Sequence, residues 1–378
     1  MQRPKLHIVS FDVPYPADYG GAIDVFYKIK HLSEAGCEIY LHCFKYGREH
    51  APLLEDFCKE VWYYPRETGI KGISIKLPYI VYSRKNELLL QRLIEIDAPI
   101  LFEGVHTTYY LNHPALKDRF KIIRTHNIEH DYYHQLYLKE NSFFRKNYFK
   151  AESVLLRKYE AGFSNAQAFF ALSQKDKEYF ETVYPKAQHE FIAPFHPFDA
   201  SDIPTGNGQY VLYHGNLAHP ENEEAALFLL RKVIPFVQTK CIIAGKSPSE
   251  KILAYARAID NCDVIVNPDQ NTMDELIRDA HIHVLPTFQA SGMKLKLLYA
   301  LFNGRHVVAN TTMLHGTALN EPCFIANNCE EMIEAINSIS GKPFTPESKA
   351  KRAELLNYQY NNKKNADRII RYLLQTSP

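Results

Sequence analysis

Two lysines stand where a helix is expected to start. The stretch SGMKLKLLYALFNGRHVVAN (291–310) predicts a helix beginning near Gly292, with Lys294 and Lys296 in its first turn. The amides of a helix N-terminus carry partial positive charge, so each lysine there costs roughly 0.3–1 kcal/mol. An anion held at the same place reverses that sign, because amides and ammonium groups then converge on one negative group. Three expected strand ends bring glycine to that edge. YHGNLAHPEN carries Gly215 and Asn216, IAGKSP carries Gly245 and Lys246, and LPTFQASGMK carries Gly292. Glycine lets backbone N–H groups approach a ligand closely, and a diphosphate suits such an edge. Tyr299 lies three residues beyond Lys296 on the same helix face. It is placed either to reach a ribose or to pack.

The first half holds two further constellations. DVPYPADYGGAI follows an apolar strand and sets Gly20 and Gly21 directly before a helix, without the G-x-G-x-x-G spacing of a dinucleotide site. RTHNIEHDYYH crowds Arg124, His126, Glu129, His130 and His134 at a strand end and a helix start. His126 suits proton donation or acceptance in a cleft. Asn127 or Thr125 is expected to cap the helix, with Glu129 in its first turn. No H-E-x-x-H and no Asp-x-Asp pair occurs, so chemistry without a metal is expected. YYHQLYLKENSFFRKNYFK (132–150) mixes aromatics with Lys and Arg. It reads as an amphipathic helix at a cleft rim or dimer face, or as a peripheral contact with a membrane or a lipid-linked acceptor.

These residues need elements to hold them. Short apolar runs alternate with amphipathic stretches: KLHIVSF, EIYLHCF, VWYYP, PILFEG, KIIRTHN, AQAFFALS and HEFIAPF in the first half, then YVLYHG, KCIIAG, DVIVNP, HIHVLPT, HVVAN and CFIAN. Strands alternating with helices predict parallel sheets covered on both faces. In such sheets ligands bind at the carboxyl ends of strands. AIDVFYKIKHLSEAG predicts a helix with Ile23, Phe26, Ile29 and Lys30 starting one face, and MDELIRDA puts Met273, Leu276, Ile277 and Ala280 on one stripe. HPFDASDIPTGNGQ (196–209) reads as a linker. The expected division is residues 1–196, residues 197–358, and a helix in 359–378 that packs towards the first domain.

A net charge of +1 gives no global field to recruit nucleic acid, so any anion site is local. The N-terminal apolar run is too short for a signal peptide, and no run approaches the length of a membrane span. The seven cysteines lack C-x-x-C spacing, which predicts reduced thiols in a cytoplasm.

In PYPADYGGAIDVFYKIKHLSEAGCEIYL, RTHNIEHDYY, YHGNLAHPENEEAALFLL, IAGKSP and LPTFQASGMKLKLLYALFNGRHVVAN, in that order, the chain resembles the GT-B-fold retaining glycosyltransferases of group 1, family four, of the bacterial polysaccharide-assembly type. The resemblance spans nearly the full length. It implies an α/β chain of two Rossmann-like domains facing across a cleft. It also implies a nucleotide-diphosphate sugar as substrate, no cofactor, and a saccharide or lipid-linked acceptor. Gly20, Gly21, Gly215, Asn216, Gly245, Lys246, Ser291, Gly292, Met293 and Tyr299 would line the donor. His126 would sit near the transferred sugar, and Lys294 or Lys296 would stabilise the leaving diphosphate. Tyr19 and Glu129 would lie on the acceptor side. Many relatives carry two glutamates eight residues apart, where this chain has Ser291 and Tyr299. The Arg/Lys pair common after the first strand of the second domain is not evident in GNLAHPENEEA. A catalytically silent protein of the same fold that binds a nucleotide sugar or glycan, or partners an active transferase, is the alternative. A sugar-nucleotide epimerase ranks below both.

Overall fold

A computed structural model describes residues 3–289 and 294–375. The chain forms two compact units. One runs to Pro197 and resumes at Tyr360; the other takes the described residues between Phe198 and Gln359.

In the first unit, β1 (Lys5–Ser10), β2 (Glu38–Lys45), β3 (Glu60–Pro65), β4 (Ile100–Glu103), β5 (Lys121–Thr125), β6 (Ala168–Ala171) and β7 (Gln188–Phe191) form one parallel sheet. Its spatial order is β3-β2-β1-β4-β5-β6-β7. Both faces are covered, which is why these strands read as apolar runs. Leu6, Ile8, Leu41 and Ile122 fill the core on one face, and Val9, Phe44, Phe102 and Ile123 fill it on the other. The strand order reverses between β1 and β4. Loops leaving such a pair diverge to opposite faces and open a crevice at the carboxyl edge.

Helix α1 (Gly20–Glu34) starts on the two glycines themselves and buries Ala22, Val25, Phe26, Ile29 and Leu32. Ile23 and Lys30 lie at the margin of that face. The single helix expected over 132–150 is two: α2 (Glu129–Lys139) and α3 (Phe143–Glu160), packed along each other. The break is stabilised by the Glu140 carboxylate, which accepts the Ser142 amide at 2.8 Å and pairs with Arg145.

The second unit repeats the plan. Strands β8 (Val211–Asn216), β9 (Cys241–Lys246), β10 (Cys262–Val266), β11 (Ile282–Leu285), β12 (His306–Ala309) and β13 (Phe324–Ile325) form a parallel sheet ordered β10-β9-β8-β11-β12-β13, reversing between β8 and β11. Helix α4 (Pro220–Lys232) follows β8. Helix α5 (Gln270–Asp279) precedes β11 and presents the expected stripe of Met273, Leu276 and Ile277 to the core. Helix α6 (Leu295–Asn303) begins at Leu295, with Lys294 at its N-cap, rather than near Gly292. The expected donor residues Ser291, Gly292 and Met293 lie outside the described residues.

The segment 196–209, in which the first unit gives way to the second, is itself packed. Ala200 and Ile203 are buried, and Gly206 pairs antiparallel with Phe344. Helix α7 (Asn362–Gln375) belongs to the first unit, where Ala366, Ile369 and Leu373 bury against α1. Among the described residues, no helix is long and apolar enough to cross a membrane.

Candidate active site

The carboxyl edge of the first sheet is built on buried charge. Asp24 and Lys28 lie one turn apart on α1. Lys28 Nζ donates to Asp24 Oδ2 at 3.0 Å and to Glu103 Oε1, at the end of β4, at 2.6 Å. Arg124 on β5 donates to Asp24 Oδ1 at 3.0 Å and to the backbone carbonyl oxygens of Ile192 and Ala193. Asp24 Oδ1 also accepts the Phe195 amide at 2.8 Å. All four charged side chains are fully buried. Burial alone would raise both carboxyl pKa values. Arg124 and Lys28 outweigh it at Asp24, and Lys28 and His126 at Glu103, so both acids stay below the usual carboxylate range.

This closed network carries His126. Its Nε2 lies 3.3 Å from Glu103 Oε2, and its ring meets Phe11 edge-on at 5.4 Å between centroids. A Cβ at Gly21 would come within 2.6 Å of Phe11 Cζ, so the second glycine makes room for that ring. One candidate ligand atom from each of Asp24, Glu103 and His126 lies within 4.8 Å of the others. Lys28 and Arg124 already neutralise the two carboxylates, which argues against a cation in this trio.

The polar residues of RTHNIEHDYYH do not form one cluster. Arg124 and His126 face Asp24 and Glu103, while the helix start faces Glu160. The Glu160 carboxylate accepts the amides of Glu129 at 3.1 Å and His130 at 3.2 Å and bonds the His130 ring. It therefore caps α2 from 30 residues away, the task expected of Asn127 or Thr125. Burial, and then Glu160, push the Glu129 carboxyl up to about 8. Tyr19 donates its hydroxyl to Asp12 Oδ2 at 3.1 Å. Arg48 lies over the Tyr19 ring at 4.8 Å, pairs with Asp18 and donates to the Pro16 carbonyl oxygen. The loop ahead of Gly20 is thus braced by residues just beyond the ends of β1 and β2.

Sequence reasoning missed Asp24, Lys28 and Glu103. The signal for the first two was present: an acid and a lysine at i and i+4 on the face of α1 that buries Val25 and Ile29.

In the second unit, β8 and β9 pair Gly215 with Gly245 and Asn216 with Lys246. A Cβ on Gly245 would lie 1.9 Å from the Gly215 carbonyl oxygen, so only glycine fits there. Asn216 shapes the following turn: its Oδ1 accepts the Ala218 amide at 3.2 Å, and its carbonyl oxygen accepts from Asn222 Nδ2 at 2.8 Å. Lys246 is exposed at the strand end. The Ser247 amide after it is fixed by Asn267 Oδ1 at 2.7 Å.

Lys296 points back to this turn. Its Nζ donates to Asn222 Oδ1 and lies 3.4 Å from the Tyr213 hydroxyl, with the amine 5.2 Å from that ring's centroid. These bonded partners are neutral, and burial lowers the lysine from its usual 10.5 to about 8, against the pull of Glu221. Lys294 Nζ donates to the Gln289 carbonyl oxygen at 2.9 Å. Tyr299 is less open than a ribose contact requires. Its hydroxyl accepts from Gln270 Nε2 at 2.7 Å, its ring stacks on Phe198 at 4.8 Å and meets His214 edge-on.

Gly20, Gly21, Tyr19 and His126 therefore share the carboxyl edge of the first sheet, with Glu129 turned to Glu160 beside it. Gly215, Asn216, Gly245, Lys246, Lys294 and Lys296 share that of the second.

Known proteins resemble this chain, a family over part of the second unit and the others over most of its length. The family described as "Glycosyl transferases group 1" matches residues 208–341. A Klebsiella pneumoniae protein described as an uncharacterized 44.6 kDa protein in the cps region is 30% identical over 368 residues, covering 89% of this chain and 92% of its own. A glycosyltransferase from Rickettsia africae superposes with a TM-score of 0.65 at 11% identity, over 100% of this chain and 99% of its own. The apo structure of OtsA gives 0.63 at 12% identity, over 99% and 100% of the two chains. The Anabaena protein HepE, solved with UDP and glucose, gives 0.59 at 13% identity over 99% and 100%. These structural likenesses fix the fold as GT-B.

Proposed function

From the premise that the chain belongs to the group 1 glycosyltransferases, we propose that it transfers a sugar from a nucleotide-diphosphate donor to a saccharide or lipid-linked acceptor, with retention and without a metal. The cps-region relative supports a place in polysaccharide assembly, and HepE with UDP and glucose supports a nucleotide-sugar donor. The free cysteines fit a reducing cytoplasm.

One observation carries the reading. At the reversal point of the second sheet, a lysine with neutral bonded partners and a depressed pKa stands in the first turn of α6, beside a glycine pair in which Gly245 is too tight for a side chain. A departing nucleoside diphosphate gains negative charge as the bond from the anomeric carbon to the phosphate oxygen breaks. Lys296, with Lys294, is positioned to offset it, and preorganised charge of this kind is the largest common catalytic contribution. Glu103 fixes the His126 ring, and His126 then meets the transferred sugar. Gly20 and Gly21 are counted among the donor residues on the resemblance alone. Ser291 and Tyr299 stand where many relatives carry carboxylates, so the donor hydroxyls lack those two acceptors.

The test is donor hydrolysis and transfer. UDP-, GDP- and ADP-sugars are incubated with wild type and with a Lys294→Ala/Lys296→Ala double variant. Turnover by wild type that is lost in the variant supports the transferase. Donor binding by wild type without turnover, acceptors included, replaces it with the silent binder.

A further inference from the structure

Large apolar side chains are exposed singly on most of the surface, as at Phe236 and Tyr358. One region of the first unit departs from that. Ile70 is 89% exposed, Ile75 90%, Phe143 74% and Phe144 84%, with Ile73, Leu138 and Tyr148 also exposed. They lie on two segments, residues 69–78 and 138–151, and those segments carry Lys71, Lys76, Lys139, Arg145, Lys146 and Lys150 against one acid, Glu140. The chain as a whole is only +1, so this is a local concentration of positive charge.

The segments are joined at Tyr79. Its amide donates to both Glu152 oxygens on α3, at 2.9 and 3.1 Å, and its hydroxyl accepts the Gly69 amide at 3.2 Å. The 69–78 loop is therefore pinned over α3 at Glu152. Phe144, Tyr148 and Glu152 follow at i, i+4 and i+8, so Phe144 lies about 12 Å along the helix axis from the pin. The Lys146 and Lys150 amines sit over the Tyr137 ring at 5.4 and 5.8 Å, which sets cations along the α2 side of the same surface.

We propose that this face docks on an anionic lipid bilayer, with the Ile70–Ile75 loop and the Phe143–Phe144 helix start entering the headgroup boundary and the lysines meeting lipid phosphates. Exposed apolar tips ringed by cations are what an interfacial contact requires. A second copy of the chain is a poor occupant: a two-fold contact sets the same patch against itself and brings six cations against six. The bilayer supplies the opposite charge.

The full chain is sedimented with vesicles of phosphatidylcholine alone, and of phosphatidylcholine with roughly one third phosphatidylglycerol. Binding is expected to the anionic vesicles and to weaken as salt shortens the screening length. The variant Ile70→Ser/Ile75→Ser/Phe143→Ser/Phe144→Ser is expected to lose about tenfold or more in partitioning. Lys71→Gln/Lys76→Gln/Lys146→Gln/Lys150→Gln is expected to bind the two vesicle types alike. All eight positions are on the surface, and circular dichroism checks that each variant is folded. Wild type that binds neither vesicle, or an apolar variant that binds like wild type, overturns the proposal. So does light scattering that shows the apolar variant dissociating a dimer that never bound lipid. No donor is present in the assay, so its outcome is independent of transfer activity.

Discussion

The two units use the same fold and place lysines near the same edge, yet they treat charge in opposite ways. In the first, Lys28 is held between Asp24 and Glu103, and Arg124 completes a closed set of two acids and two cations. In the second, Lys296 bonds an amide oxygen and a phenol, and burial lowers its pKa to about 8. A buried charge without an ionic partner is costly, so the second arrangement is the one that gains from an incoming anion. We read the first as scaffolding that holds His126 and propose the second as the place that receives the donor diphosphate.

The same substitution in both places tests that division. Lys28→Met leaves Asp24 and Glu103 short of a cation and should destabilise the protein by about 3–5 kcal/mol in denaturant unfolding. A change below about 1 kcal/mol would remove the scaffold argument. Lys296→Met should leave stability nearly unchanged or raise it, while lowering kcat by about 10²–10³, the usual effect of losing one preorganised group. Equal destabilisation at the two positions would erase the contrast.

Acidity sharpens it further. The folded pKa of Lys296, about 8, lies below the ordinary 10.5. Below pH 8 the lysine is charged in both folded and unfolded chains. Between 8 and 10.5 only the unfolded chain keeps the proton, so this group's contribution to stability rises with pH there. Anion affinity runs the other way. If the charged amine is required, nucleoside diphosphate binding should weaken about tenfold between pH 7 and pH 9. A flat profile would detach Lys296 from the anion.

Glu129 stands outside the closed charge set of the first unit. Glu129, pushed up to about 8 from 4.5, keeps its proton in the fold while the unfolded chain releases it. Stability from this group is therefore lost as pH rises from about 4.5 to 8. Glu129→Gln should flatten that slope by on the order of 1 kcal/mol, read from unfolding at pH 5 and pH 8. An unchanged slope would place the charge elsewhere.

The fold was legible in the sequence because parallel strands covered on both faces read as apolar runs. KLHIVSF and KCIIAG became β1 and β9 with edges moved by about one residue. The glycine pair of β8 and β9 was legible as two strand ends, although only the register shows why Gly245 cannot carry a side chain. The charge network was not. Lys28 is 75 residues from Glu103, and Arg124 is 100 from Asp24, so no local pattern joins them. The cap on α2 was hidden for the same reason, since Glu160 comes from the far end of α3. For Tyr299 both a ribose contact and packing stayed open, because spacing gives a helix face and nothing of Gln270 and Phe198, which its hydroxyl and ring meet.

The central claim is that Lys296 receives the donor diphosphate. Isothermal titration of UDP, GDP and ADP into wild type and Lys296→Met at pH 7 tests it most directly. The arrangement predicts that whichever nucleotide binds wild type tightest loses about tenfold or more in affinity in the variant, with the unfolding midpoint preserved. Equal dissociation constants for the two proteins would contradict it.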